Sequence, residues 1–91
     1  AAVLDLVVAR TSSLSGLEQE AGVLCTSLTA DPTLDGRLDG EPTALGLVEL
    51  ADDRLVYRIV VPTRPGAQAV VQQVWRRLAL ESFEAGRLNE P

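Results

Sequence analysis

Ninety-one residues are enough for one hydrophobic core and leave no room for a second. Apolar residues make up 46% of the chain, so it is built to fold; with Tyr57, Trp75 and Phe83 the only aromatics, its core must rest on Val, Leu and Ala. The net charge of −5 excludes a nucleic-acid or anionic-membrane binder that works through concentrated positive charge. No apolar run reaches the ~18–20 residues of a bilayer-spanning helix, and no signal peptide is legible. There is no methionine and Ala1 already stands in an apolar run, so residues 1–91 are expected to be a single α/β domain excised from a larger protein.

Residues 2–10 read as a first strand, with Val3, Asp5, Val7 and Ala9 on one face and Leu4, Leu6, Val8 and Arg10 on the other. Thr11-Ser12-Ser13 breaks the run. Ser15 and Glu18 have the spacing of a capping box, and Leu17, Ala21, Leu24 and Leu28 then recur at helical spacing. Cys25 is alone, which rules out an intramolecular disulfide, and among these leucines it reads as a small buried hydrophobe. Asp31-Pro32 ends the helix. The stretch 31–42, with two Pro, two Gly and four acidic residues, reads as a solvated loop with a short turn around Leu34–Leu38; the spacing of Asp31, Asp35, Asp39 and Glu41 does not match that of the oxygen ligands around the central glycine of a calcium loop.

Residues 43–50 and 54–61 read as two strands joined by a tight hairpin at Ala51-Asp52-Asp53. The second of them is the more apolar, as a central strand should be: Leu55, Tyr57, Ile59 and Val61 point one way, Val56, Arg58 and Val60 the other. Pro62 and Pro65 stop strand pairing, and a second helix follows over about 67–85. Its inner stripe is Val70 or Val71, Val74, Leu78 and Ser82, flanked by Trp75 and Phe83, and Gly86 suits a left-handed C-terminal cap. Arg76-Arg77 reads as a solvated helix face. The order β-α-β-β-α predicts an α+β, ferredoxin-like fold, a three-stranded antiparallel sheet with two helices on one face and an open edge at strand one. The other sheet face would then carry Val3, Val7, Val56, Arg58 and Val60. Two readings of it stand: ordinary β-propensity, or contact with another domain or subunit.

Chemistry is sparse. Without histidine there is no His-based acid–base catalyst and no Ser-His or Cys-His pair. Asp52 and Asp53 are adjacent on a turn and point apart, and no Gly-rich phosphate loop is present. One cysteine and no histidine also make a poor transition-metal set. These features predict no enzyme activity, no catalytic residues, no cofactor and no metal.

Residues 42–66, PTALGLVELADDRLVYRIVVPTRPG, resemble the C-terminal cytoplasmic domain of the small-conductance mechanosensitive (MscS-like) channel family. The resemblance lies in Pro42, Leu45-Gly46-Leu47, the acidic turn Asp52-Asp53, the strand Leu55–Val61 and Thr63-Arg64-Pro65-Gly66. It extends to the Val-rich first strand, to Asp31-Pro32, to Ala69-Val70 and Arg76-Arg77-Leu78, and to Phe83-Glu84-Ala85-Gly86. The chain departs from the family after Pro65-Gly66, where the usual aromatic is missing. It departs again at Arg87-Leu88-Asn89-Glu90-Pro91, where the family has a tail that joins subunits.

The resemblance implies a homo-oligomeric parent, typically a homoheptamer in the inner cell membrane, that opens under membrane tension. Such a channel releases ions and small osmolytes during osmotic shock. This domain would form part of a cage on the cytoplasmic side, and membrane contact would come only from segments outside residues 1–91. The second class of function weighed is a ligand-sensing regulatory domain of another membrane transporter.

Overall fold

The computed structural model describes residues 1–91 and shows the elements in the order β-α-β-β-α. Period-two alternation over β1 (Ala2–Ala9) sends Ala2, Leu4, Leu6 and Val8 inward, and all four are buried. β2 (Thr43–Leu50) and β3 (Arg54–Val61) form the hairpin. β3 lies between the other two, antiparallel to both, because its residues are apolar on both faces. This is the ferredoxin-like α+β arrangement expected from the sequence, with three strands and two helices.

Helix α1 (Leu14–Ala30) starts two residues earlier than the Ser15 spacing suggests. Ser13 is the cap: its hydroxyl accepts the Gly16 N–H at 3.2 Å, and Ser15 lies inside the first turn. Leu17, Ala21, Leu24 and Leu28 are buried as their spacing predicts. Pro32 forbids a further turn and holds Asp31 extended at ψ 122°. Asp31 then joins three elements. Its carboxylate accepts the Thr33 N–H at 2.8 Å and the Arg77 guanidinium at 2.6 Å, while its own N–H closes α1 on the Leu28 carbonyl. The Thr33 hydrogen bond, with Arg77 adding to it, holds the Asp31 carboxyl below the usual carboxylate range.

The segment after Asp31 is more tied down than a solvated loop. It makes one 3-10 turn (Pro32–Leu34) that buries Leu34, and then runs beside the end of β3. There Asp39 N–H donates to the Pro62 carbonyl, Arg64 N–H donates to the Arg37 carbonyl, and Leu38 bridges Thr63.

Helix α2 (Gln68–Glu84) follows the Pro65-Gly66 turn, in which Gly66 takes a φ of +82°. Its buried residues are Val71, Val74, Trp75 and Ser82. Trp75, expected on the flank, is only 2% exposed. The reason is the position of α2, which lies over the free edge of β1 rather than over the middle of the sheet. Gln68, Gln72 and Trp75, on one face at helical spacing, donate to the backbone carbonyls of Ala1, Val3 and Asp5 at 3.0, 2.7 and 3.1 Å. Gly86 caps the helix at φ +75°, and Arg87 and Leu88 turn back to donate to the Ser82 carbonyl. Leu88 is buried, and the Ala9 N–H donates to the Asn89 carbonyl.

These contacts correct one expectation. The edge of β1 is not the open one, because side chains of α2 and the tail 87–89 occupy it. The open edge belongs to β2.

Candidate interaction surface

Register alone sets out the outer face of the sheet. Three rows cross it: Val3, Val60 and Thr43; Asp5, Arg58 and Gly46; Val7, Val56 and Glu49. The structure therefore brings Val3, Val7, Val56, Arg58 and Val60 together on one face, as their alternation predicts. Their exposure differs. Val3 and Val7 on β1 are 47% and 40% exposed, Val60 and Arg58 are half-buried, and Val56 is only 8% exposed between Val7 and Glu49. The middle row is polar: Arg58 donates to both oxygens of Asp5, Nε at 2.8 Å and Nη2 at 3.1 Å. That hydrogen-bonded carboxylate raises the Arg58 pKa, so the guanidinium keeps its charge.

A second uncovered apolar region was not foreseen. In β2, Leu45, Leu47, Val48 and Leu50 are 58%, 41%, 42% and 64% exposed. Two register shifts cause this, one between Ala44 and Gly46 and one between Leu47 and Glu49. Each inserts an extra residue, so the period of two becomes a period of three. Thr43, Gly46 and Glu49 then share the outer face, and Ala44, Leu47 and Leu50 share the helix side with Ile59, Tyr57 and Leu55. β2 has no buried residue, whereas α2 lies against β1. The signal was present in TALGLVEL. Leu45 and Leu47 have one parity, Val48 and Leu50 the other, and a glycine sits between the first two.

Gly46 carries the first bulge at φ +91°, a conformation that a β-branched residue adopts only with strain. Gly46→Val is expected to cost about 1–3 kcal/mol, read as a lowered urea midpoint with an unchanged m-value. Open space surrounds the position, so Gly46→Ala should cost less, and by backbone strain alone.

Elsewhere the chain holds little that could do chemistry. No three His, Cys, Asp or Glu side chains are gathered as metal ligands, and the acidic residues of 31–41 do not converge. Cys25 is half-buried, and burial pushes its thiol pKa up, away from the reactive thiolate. The broadest concavity, ≈ 620 Å³, is shallow and lies between Arg37, Gly66, Gln73 and Arg76. A tighter one of ≈ 100 Å³ lies between the start of α1 and the tail, lined by Ser12, Gly16, Leu17 and Asn89. Neither brings a nucleophile and a general base together. No helix of the structure is long and apolar enough to cross a membrane. No protein-family model matches the chain, and no curated protein matches it.

Proposed function

We propose that this chain is an assembly domain of the cytoplasmic cage of an MscS-like mechanosensitive channel. The parent would be a homo-oligomer in the cell membrane, a homoheptamer by the family pattern, passing ions and small osmolytes under tension. The observation that carries the reading is the ordered set of residues from Pro42 to Gly66. In the fold these form one continuous unit: Leu45-Gly46-Leu47 is the bulged part of β2, Asp52-Asp53 the turn, Leu55–Val61 the central strand, and Pro65-Gly66 the entry to α2. The glycines in that set sit where the backbone needs them, Gly46 at the bulge and Gly66 at the helix entry, both with positive φ. Uncovered valines on one sheet face and leucines on β2 suit a domain whose work is contact.

The test is the complete reading frame that encodes this sequence, expressed in bacteria stripped of their tension-gated channels. The expected result is survival of hypo-osmotic shock together with tension-gated currents in membrane patches. A reading frame with no membrane helix, or one giving neither survival nor current, refutes the proposal. The alternative, a ligand-sensing domain of another transporter, predicts instead that a metabolite raises the melting temperature of the domain, because ligand binding to the native state stabilises it.

A further inference from the structure

Ser12 Oγ is the one buried side-chain oxygen or nitrogen of the chain that has no hydrogen-bond partner. A hydroxyl taken out of water and left without a partner costs stability, so a partner from outside the chain is favoured there. Ser12 lines the ≈ 100 Å³ cleft between the start of α1 and the tail. The wider concavity beside Arg37 and Arg76 has two cations on its rim but no such buried group. We propose that the cleft at Ser12 binds a small monocarboxylate, a property of the domain itself that does not depend on the channel reading.

The polar groups left over around the cleft are mostly donors. Arg87 gives its Nε to Glu20 at 2.9 Å, which leaves both Nη groups at the outer end of the guanidinium without a partner in the chain. The Asn89 side chain is free, because that residue is held through its main-chain carbonyl, which accepts the Ala9 N–H at 2.9 Å. None of the seven lining residues is acidic, in a chain with 13 acidic residues, so the cleft selects against a cation. The end of α1 beside it is the amino end, whose partial positive charge acts in the same direction.

Charge and shape narrow the ligand further. Arg87 is already shared with Glu20, so a single negative charge is better balanced there than a phosphate dianion. The two Nη groups form a fork that matches the two oxygens of a carboxylate. Leu17 and Leu88, both buried, give the cleft an apolar side for a short carbon stem. Its volume is that of about three waters, room for a molecule of propionate's size and too little for a nucleotide. Bound there, the carboxylate bridges Ser12 to Arg87 and Asn89 and so fastens the tail to the start of α1.

NMR titration of the isotope-labelled chain, at an ionic strength held constant with sodium chloride, tests this. Sodium propionate should give saturable shifts at Ser12, Ser13, Gly16 and Arg87 with a Kd on the order of 1–10 mM, and neutral propionamide should give none. Ser12→Ala should weaken propionate binding about fivefold without lowering the urea midpoint, since the hydroxyl has no partner in the chain to lose. Arg87→Gln should weaken it at least about tenfold. Because that change also releases Glu20, Asn89→Ala is the second variant, with an expected loss of about threefold. Shifts that rise linearly with propionate, an equal response to propionamide, or undiminished binding by Ser12→Ala overturns the proposal. So does inorganic phosphate binding more tightly than propionate, or a lower urea midpoint for Ser12→Ala, which would place the hydroxyl in a bond within the fold. Tension-gated currents from the parent decide the channel reading separately.

Discussion

Trp75→Ala should leave the domain close to its unfolding threshold. The indole is 2% exposed and belongs to the central core cluster, and removing a buried Trp costs about 3–5 kcal/mol. A domain of this size has about 5–14 kcal/mol in total, so from about a quarter to nearly all of its stability is at stake. Part of the cost is not hydrophobic. The indole N–H donates to the Asp5 carbonyl at 3.1 Å and closes one of the outward-facing groups of β1. Trp75→Phe separates the two contributions: it keeps a ring and loses the donor, so about 1–2 kcal/mol should disappear with it. Amide exchange in β1 should rise more than in β2. Equal exchange in both strands would show that Trp75 stabilises the core without guarding that edge.

The second large effect is expected at Glu20, a carboxylate only 7% exposed in a layer of leucines. It accepts the Ser82 hydroxyl at 2.6 Å and the Arg87 Nε at 2.9 Å, so one side chain ties α1 to α2 and to the tail. Glu20→Ala leaves the fully buried Ser82 hydroxyl without its partner and frees Arg87, a loss of about 2–3 kcal/mol. The double change Glu20→Leu with Ser82→Ala removes both polar partners and should recover most of that stability, while the tail stays loose. Urea midpoints measure the first effect and amide exchange at Leu88 the second. A Glu20→Ala midpoint shift worth less than about 0.5 kcal/mol would place the residue among ordinary surface positions.

Much of this architecture is written locally. Ala51-Asp52-Asp53 and Pro62 bound β2 and β3, so the hairpin is legible from turn chemistry alone. The stripe Leu17, Ala21, Leu24 and Leu28 marks the buried side of α1 in the same way. Glu20 falls beside that stripe and Ser82 falls on the inner stripe of α2, and two polar residues on facing apolar surfaces are a sign that they bond each other. What local pattern could not supply was lateral placement. Gln68 and Gln72 look like ordinary exposed helix residues until α2 is seen beside β1, and that shift is what uncovers β2. The outer-face residues Val3, Val7, Val56, Arg58 and Val60 were assigned correctly to one side by parity. How far each is covered depends on its neighbours across the strands, and Val56 is nearly hidden for that reason.

The double bulge in β2 also bears on how the chain avoids fibrils. An apolar edge strand with no lysine, no proline and a single charge is the kind of segment that stacks into cross-β ribbons, which need flat, evenly spaced backbone on every layer. The register shifts at Leu45 and Val48 twist and kink that edge, so an identical chain cannot lie along it in register. Leucine side chains can thus be exposed for specific contact without the backbone beneath them acting as a template.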